Sequence, residues 1–335
     1  MRVLVVKTSS MGDVIHTLPA ISDAAVAIPG IVFDWVVEEG FSEIPAWHPA
    51  VDKVIPVAIR RWRKTPIAAL GGIEWKAFKG QLRKETYDLV IDAQGLLKSA
   101  LVARLVNAPR AGFDKDTVRE KLASWFYHRR FHVPRTLHAV ERTRQLFAQA
   151  LGYTVPPAEG VYGIDTQRFK LSGARDPNVI FLHGTSRDDK HWPEDYWLEL
   201  CREVTAAGYE VRIPWGSEPE RERAQRIAEV SGQAKVLPKL NLQGVAAELQ
   251  HADAVVSVDT GLGHLSAALG RPTVALYGPT SPDLVGTYGA NQHHLLAGSF
   301  SRDELPAADP VVMTPLTPAR VLLALQELLQ KRESA

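Results

Sequence analysis

Apolar residues occur in continuous runs along the whole chain, and stretches with helical spacing of apolar positions separate one run from the next. Continuous runs without apolar–polar alternation are typical of strands buried on both faces of a parallel sheet. The predicted strands are 3–6, 32–37, 54–57, 89–91, 179–182, 211–213, 236–237, 255–258 and 273–277, and the predicted helices are 14–27, 74–85, 98–106, 194–207, 219–230 and 243–251. Each half of the chain therefore predicts a doubly wound α/β domain.

The length of the chain, 335 residues, favours two domains rather than one. Residues 153–177 include Pro156-Pro157 and few periodic apolar positions, which indicates a linker. We assign residues 1–155 to a first domain and 156–317 to a second, and we expect the helical stretch within 318–335 to pack back on the first. Two facing domains of this kind would place a ligand cleft at the carboxyl ends of both sheets.

Composition narrows the class of protein only slightly. The chain has 45% hydrophobic and 23% charged residues, as ordinary globular proteins do. No apolar run approaches the ~20 residues of a membrane-spanning helix, and the first predicted strand follows Met1-Arg2 directly, which predicts that no signal peptide is present. The single cysteine, Cys201, cannot form an internal disulfide, and we expect it to pack as a small apolar residue in a cytoplasmic protein.

The overall charge of +1 conceals a difference between the two halves. Residues 1–155 carry 22 Lys and Arg against 15 Asp and Glu, a balance of +7. Residues 156–335 carry 17 against 23, a balance of −6. A basic half beside an acidic half indicates that the two halves bind different partners, and we expect the basic half to bind the more anionic one.

A glycine-bearing loop, residues 259–264, follows the predicted strand 255–258 and precedes a short predicted helix, 265–269. A strand, a tight glycine loop and a helix together present backbone N–H groups and a helix N-terminus to a phosphate. Asp259 and His264 flank this predicted cradle. Capping of the helix by Asp259 is the alternative interpretation.

A similar loop opens the first half, where the strand 3–6 leads into a helix. Asp13 falls at the helix start, where the helix dipole favours its ionised form. It is a candidate general base, which takes a hydroxyl proton as the oxygen attacks, and a simple capping role is the alternative. Ser9, Ser10 and His16 lie nearby, but nothing in the sequence resembles the nucleophile elbow of a serine hydrolase.

The basic run Arg60-Arg61-Trp62-Arg63-Lys64 follows a strand and precedes Pro66, which predicts a loop. Guanidinium groups bind phosphates and carboxylates bidentately, so the run is a candidate site for an anionic ligand. Arg119 and Arg129-Arg130 are candidates to extend it, and a solvated run of charges is the alternative. No nucleic-acid-binding motif accompanies these residues, so we predict no nucleic-acid partner.

Two further loops of the second half carry candidate ligands. The loop after 179–182 contains Thr185, Ser186 and Lys190, whose hydroxyl and ammonium groups suit a pyrophosphate. Glu220 either accepts hydrogen bonds from a ribose or caps the next helix. The sequence has no Walker motif, no G-x-G-x-x-G fingerprint and no clustered metal-ligand spacing, which argues against a kinase, a dehydrogenase and a metalloenzyme.

Six motifs together carry a resemblance to a known family. They are V-V-K-T-S-S-M-G-D-V-I-H-T-L-P-A, F-D-W-V-V-E-E-G-F, I-R-R-W-R-K, I-D-A-Q-G-L-L-K-S-A, T-S-R-D-D-K-H-W-P and S-V-D-T-G-L-G-H-L. Across nearly the whole chain they resemble the ADP-heptose:lipopolysaccharide heptosyltransferases of glycosyltransferase family 9. The resemblance implies a GT-B fold of two facing Rossmann-like domains, the first for the acceptor and the second for the nucleotide sugar. It also implies metal-independent, inverting transfer of L-glycero-D-manno-heptose from ADP-heptose to Kdo2-lipid A, without a cofactor.

The resemblance also implies roles for individual residues, with Asp13 as the catalytic base. The implied ADP-heptose-binding residues are Thr185, Ser186, Lys190, Glu220, Leu240, Asp259, Thr260, Gly261 and His264. The implied acceptor-binding residues are Lys7, Ser10, Arg60, Arg61, Arg63, Lys64 and Arg119. Ser186 stands where a second Thr is expected and Leu240 where Met is expected, and both departures are conservative.

An acceptor of this kind lies in the inner leaflet of the bacterial inner membrane. We therefore expect a monomer held peripherally at its cytoplasmic face by attraction to anionic lipids. Trp62 is a candidate interfacial aromatic, whereas core packing is expected for Trp125-Phe126. The alternatives are another GT-B enzyme, such as the second heptosyltransferase or a sugar-nucleotide epimerase, and a non-catalytic nucleotide-binding module.

Overall fold

The computed structural model describes residues 1–64, 72–171, 175–298 and 310–333. The chain divides into two compact units, Met1–Asp165 and Thr166–Ala335. This division falls inside the linker that the sequence predicts at 153–177. The assignment of the acceptor to the first unit and of the nucleotide sugar to the second stays a prediction.

Within its described residues, the first unit is built on a parallel sheet of six strands. The strands are β1 (Arg2–Val6), β2 (Val32–Glu38), β3 (Val51–Val57), β4 (Leu89–Asp92), β5 (Arg110–Phe113) and β6 (Arg129–Phe131), in the order β3-β2-β1-β4-β5-β6. The central strand β1 is apolar and almost wholly buried, because helices cover both faces of a doubly wound sheet.

The helices of the first unit differ from the sequence prediction in two places. They are α1 (Met11–Ile15), α2 (Leu18–Ala27), α3 (Ile59–Trp62), α4 (Ile73–Leu82), α5 (Leu97–Ala103) and α6 (Ala139–Leu151). The single helix predicted over 14–27 is wrong: α1 and α2 are separate, because Pro19 has no N–H to continue the helical ladder. The loop predicted for the basic run is also wrong, since most of that run lies in α3.

The second unit repeats this architecture in its described residues. Its strands are β7 (Asn178–Leu182), β8 (Glu210–Ile213), β9 (Ala234–Val236), β10 (Ala254–Val258), β11 (Thr273–Tyr277) and β12 (Gln292–Leu296), in the order β12-β11-β10-β7-β8-β9. Its helices are α7 (Glu194–Ala206), α8 (Glu218–Ala228), α9 (Leu242–Gln250), α10 (Gly261–Ala268), α11 (Pro282–Val285) and α12 (Pro318–Glu333). Both sheets thus have the strand order 3-2-1-4-5-6 of nucleotide-binding Rossmann units.

The last helix, α12, packs on the second unit against α7, β10, β11 and β12. Its Val321 and Leu325 belong to the apolar core of that unit, together with Trp197 and Cys201. Contact of this helix with the first domain stays a prediction. None of the helices in the described ranges is long and apolar enough to cross a bilayer.

Candidate active site

The residues with predicted functions follow the carboxyl ends of strands in both sheets. In the first unit they come after β1, β3 and β5, and in the second after β7, β8, β9 and β10. The carboxyl ends of parallel strands meet at one edge of a sheet, where open α/β proteins bind ligands. Each unit therefore gathers its candidate residues at one edge of its own sheet.

Asp13 lies in the first turn of α1, and its carboxylate is held from three directions. Its Oδ2 accepts the N–H of Ser10 at 2.9 Å and the Nη1 of Arg119 at 3.3 Å. Its Oδ1 lies 3.4 Å from the Nζ of Lys7. The structure thus brings together four of the predicted residues. Asp13 is not the N-cap, which is Ser10, but it stands at the third position of α1 and accepts the N–H of that cap.

The charges around Asp13 determine its protonation state. Burial alone would raise the pKa of Asp13, but the positive charges of Lys7 and Arg119 and the Ser10 N–H outweigh burial and hold that pKa well below its usual range. Burial lowers the pKa of Lys7, and the charge of Asp13 opposes that effect. At neutral pH Asp13 is therefore an ionised carboxylate, able to accept a proton.

Gln94, which the sequence analysis does not single out, holds the loop that leads to Asp13. It is buried after β4, and its Oε1 accepts the N–H groups of both Thr8 and Ser9, each at 3.0 Å. The carbonyl oxygen of the preceding Ala93 accepts the Nζ of Lys7 at 3.0 Å. Gln94 belongs to the motif I-D-A-Q-G-L-L-K-S-A, but its partners are more than eighty positions away in sequence, so local pattern does not predict these contacts.

The side chain of Asp92, which is fully buried, holds the turn that carries Gln94 through hydrogen bonds. Asp92 Oδ1 accepts the N–H groups of Gln94 at 2.9 Å and Gly95 at 3.1 Å. Its Oδ2 accepts the hydroxyls of Ser99 at 2.8 Å and Tyr127 at 2.7 Å. Gly95 has a φ of +68°, which favours glycine over any other residue. Asp92 therefore holds the turn from which Gln94 reaches the β1 loop.

Carboxylates engage one member of the basic run. Arg61 Nη1 donates to both carboxylate oxygens of Glu74, at 2.9 and 2.8 Å, and its Nη2 donates to Glu39 at 3.1 Å. The hydrogen bonds that Arg61 donates to these two carboxylates raise its pKa. The Nε1 of Trp62 also donates to Glu74, at 3.0 Å. Arg61 therefore ties α3 to α4 as well as being a candidate ligand residue.

The other basic residues of the run are exposed, and among the described residues no carboxylate oxygen lies within 4 Å of their side-chain nitrogens. They are Arg60, Arg63 and Lys64. The guanidinium of Arg60 lies 5.2 Å from the centre of the Phe41 ring, and the N–H of Arg60 donates to Glu38 Oε1 at 2.8 Å. Their positive charge is available to an external anion.

In the second unit, Asp259 is the centre of the candidate phosphate cradle. Its Oδ2 accepts the Nζ of Lys190 at 2.6 Å and the hydroxyl of Thr280 at 2.5 Å. Its Oδ1 lies 3.8 Å from His264 Nε2, and its carbonyl oxygen accepts the hydroxyl of Thr185 at 3.0 Å. Four predicted residues therefore meet here, and Thr280, which follows β11, is a fifth that the sequence analysis missed.

Asp259 is ionised. Burial alone would raise the pKa of Asp259, but the charges of Lys190 and His264 and the hydrogen bonds from Lys190 and Thr280 outweigh burial and lower that pKa. Beside it, α10 begins at Gly261, so the helix start predicted at residue 265 is wrong and the glycine loop is shorter than expected. Thr260 is the N-cap, and the first turn presents N–H groups that lack helical partners.

Glu220 caps the helix that follows β8. Its Oε2 accepts the N–H groups of Gly216 at 2.7 Å and Ser217 at 3.1 Å. A Cβ at Gly184 would lie 2.8 Å from Glu220 Oε1, so a glycine there lets the β7 loop approach this carboxylate. The capping alternative is therefore confirmed, and the ribose contact stays a prediction. Of the remaining residues predicted to bind ADP-heptose, Ser186 is exposed and Leu240 is half-buried.

Comparison with known proteins places this chain among enzymes. The family model described as glycosyltransferase family 9 (heptosyltransferase) matches residues 75–308. Lipopolysaccharide heptosyltransferase 1 of Pseudomonas aeruginosa is 60% identical over 296 residues, which cover 88% of this chain and 83% of that protein.

Two solved structures of one Escherichia coli enzyme are similar to the whole chain. E. coli heptosyltransferase WaaC with ADP matches with a TM-score of 0.90 at 52% identity, covering 98% of this chain and 100% of that one. The same enzyme with ADP-2-deoxy-2-fluoro heptose matches with a TM-score of 0.86 at 51% identity, covering 98% of this chain and 99% of that one.

The two Rossmann units and the match to the solved heptosyltransferase over nearly the whole chain define a glycosyltransferase of the GT-B class. The chain belongs to glycosyltransferase family 9, the heptosyltransferases. The predicted family, fold class and heptosyltransferase activity are confirmed.

Proposed function

We propose that the protein transfers L-glycero-D-manno-heptose from ADP-heptose to a Kdo residue of Kdo2-lipid A, adding the first heptose of the lipopolysaccharide inner core with inversion. The observation that carries the proposal is the ionised carboxylate of Asp13 between Lys7 and Arg119. The high identity to lipopolysaccharide heptosyltransferase 1 supports the choice of substrates. Incubation with ADP-heptose and Kdo2-lipid A, followed by mass analysis, should give the acceptor plus one heptose.

In the proposed reaction, Asp13 takes the proton of the acceptor hydroxyl as its oxygen attacks the anomeric carbon of heptose. The bond from that carbon to the ADP oxygen breaks, and ADP leaves with the electron pair. An acceptor anion beside Lys7 and Arg119 would offset the charges that now depress the pKa of Asp13. Asp13 would then become a stronger base when the acceptor binds.

The donor would bind the second unit through its diphosphate. The Nζ of Lys190, the hydroxyl of Thr185 and the first-turn N–H groups of α10 are suited to its oxygens. Of these groups, Lys190 carries a full positive charge, which it shares with Asp259, and the start of α10 carries a partial one. We therefore propose that transfer needs neither a divalent metal ion nor a cofactor.

Activity is expected to persist in excess EDTA. In this proposal, Lys190 and α10 counter the charge of the leaving ADP, and that role is often taken by Mg²⁺ in other nucleotide enzymes. The measurement is the initial rate with and without the chelator. A rate that EDTA abolishes and added Mg²⁺ restores would show that a metal is required.

The double variant Arg60→Ala/Arg63→Ala is expected to raise the acceptor KM on the order of tenfold or more, since a hydrogen bond to a charged group contributes about 1.5–3 kcal/mol. The donor KM should stay the same, because these residues lie in the first unit. Arg61→Ala is the matched comparison: it removes a basic residue of the same run, but one that is paired with Glu39 and Glu74. An equal rise in the KM of both substrates would mean that the run supports the fold instead.

Gln94→Leu is expected to lower kcat about 10–100-fold, because small misplacements of a reacting group have effects of that size. The variant leaves the N–H groups of Thr8, which is buried, and Ser9, which is half-buried, without an acceptor, and it disturbs Lys7 and Ser10 around Asp13. The pKa of Asp13 should rise, so the acidic limb of the pH profile should move to higher pH.

Gln149→Leu, at an exposed position of α6, is the control for Gln94→Leu and should change neither kcat nor the pH profile. Donor binding should be unchanged in both variants. A Gln94→Leu enzyme with normal kcat and a normal pH profile would contradict the positioning role.

We infer further that the enzyme is a monomer that works at the cytoplasmic face of the inner membrane, where a lipid-A-based acceptor would be located. The net balance of +7 over residues 1–155 favours attraction to an anionic leaflet. An epimerase, the main alternative, would convert or release the nucleotide sugar without any acceptor. Omitting the acceptor from the assay distinguishes the two enzymes.

A further inference from the structure

One surface of the first unit combines exposed apolar side chains with basic ones. It is formed by residues 97–110, which include α5, and by residues 121–130, whose 3₁₀ segment Lys121–Phe126 packs against α5. We name this surface the α5 face. On it, Trp125 is 73% exposed, Leu122 50% and Leu101 47%.

The core packing expected for Trp125 is wrong. In the 3₁₀ segment the buried positions are occupied by Ala123 and Ser124, so that Trp125 faces solvent. Phe126 is half-buried under the guanidinium of Arg104, 5.8 Å from its ring centre. Single exposed apolar residues are ordinary, but three large ones on adjoining segments indicate an interaction surface.

The charge of the α5 face is predominantly positive. Its two segments contain six Lys and Arg and no Asp or Glu, namely Lys98, Arg104, Arg110, Lys121, Arg129 and Arg130. Among the ion pairs of the described chain, none involves any of these six. The adjoining Glu120 is engaged in accepting the N–H of Leu97 at 2.6 Å. The face therefore suits an anionic partner.

We propose that the α5 face docks the enzyme on an anionic phospholipid surface, with Trp125, Leu122 and Leu101 at the headgroup level. Tryptophan favours this interface because its ring is apolar and its N–H polar. Basic residues around it are attracted to anionic headgroups. The proposal rests on the proposed function in one respect, that the acceptor is a membrane lipid.

The α5 face fits this role better than the basic run in and after α3. In that run Arg61 is already paired with Glu39 and Glu74, and the neighbouring carboxylates would be repelled by anionic lipids. The α5 face has exposed apolar side chains and several basic residues, with the carboxylate of Glu120 at its margin. Membrane binding and acceptor recognition would thus reside on different residues, so they can be tested separately.

The test is sedimentation of the full chain with vesicles of phosphatidylethanolamine and phosphatidylglycerol, compared with vesicles of phosphatidylcholine alone. The apolar variant carries Leu101→Ser, Leu122→Ser and Trp125→Ser, and its control carries Val26→Ser and Val161→Ser, which are 82% and 70% exposed. We expect wild type and control to bind the anionic vesicles and the apolar variant to bind at least tenfold more weakly.

A charge variant, Lys98→Gln/Arg104→Gln/Lys121→Gln, should bind on the order of 100-fold more weakly, and added salt should weaken wild-type binding. The intrinsic fluorescence of wild type should shift to the blue with anionic vesicles, and Trp125→Phe should remove most of that shift. Turnover of a water-soluble Kdo acceptor without acyl chains should be unchanged in all these variants.

Failure of wild type to sediment with anionic vesicles, or equal binding by the apolar variant, would overturn the proposal. Self-association of wild type that the apolar variant loses, without lipid binding, would also overturn it and make the face an interface between copies. A wild-type enzyme that fails to glycosylate the soluble acceptor but still binds vesicles would overturn the proposed function instead.

Discussion

Asp13→Asn is expected to lower kcat by about 10²–10⁴ while ADP-heptose still binds with normal affinity. Asparagine has the same shape and can still accept the Ser10 N–H, but it cannot take the acceptor proton. The measurement is kcat from single-turnover and steady-state assays, with donor affinity from calorimetry. The affinity for ADP-heptose should be unaffected, because the residues predicted to bind it lie in the second unit.

Asp23→Asn is the matched control for the loss of a buried carboxylate. Asp23 lies on α2 and accepts the Nε of Arg144 at 2.6 Å, so its removal should lower thermal stability. Turnover of the folded fraction should remain normal. A loss below tenfold in Asp13→Asn would exclude Asp13 as the base, and an unfolded variant would leave it only its role at the helix start.

The second large effect is expected at Lys190. Lys190→Met should weaken ADP-heptose binding about 10–100-fold, the value of one hydrogen bond between charged groups. The substitution also leaves the buried carboxylate of Asp259 with Thr280 and His264 but without its ammonium partner. That uncompensated charge would repel the diphosphate. Calorimetry with ADP and with ADP-heptose measures the combined effect of the lost hydrogen bond and of the repulsion by Asp259.

Lys235→Met is the control for Lys190→Met. Lys235 also pairs with a carboxylate of the second unit, that of Glu210, but it lies on the short strand β9 rather than in the cradle. Its substitution should leave donor binding unchanged. If both variants lose affinity equally, the effect of Lys190 would be one of stability and the assignment of the cradle would fail.

The fold is predictable from sequence where strands are buried on both faces. The runs of β1 and β10 are nearly all apolar, because helices cover both sides of a parallel sheet, and the pattern predicts both strands closely. The same pattern does not predict β6 and β12. Their sequences, R-R-F and Q-H-H-L-L, contain charged or polar residues, which strands at the sheet edges tolerate because one side is unpaired.

The candidate site is predictable in its residue types and loop positions, but not in its pairings. Asp13 and Asp259 stand at strand ends, where a single sequence already indicates chemistry. That Arg61 is bound by Glu74, and that Gln94 holds Thr8, depends on packing between distant parts of the chain. Such contacts involve no local periodicity, so the sequence does not predict them.

The pairing of Lys190 with Asp259 has a kinetic consequence for the proposed donor. Lys190 is paired with the carboxylate of Asp259, so these two side chains together carry little net charge. In the proposed reaction the diphosphate would share Lys190 with Asp259, and its departure would leave Lys190 paired with Asp259. Product inhibition by ADP should therefore be mild, and discrimination among nucleotides must come from contacts to adenine and heptose.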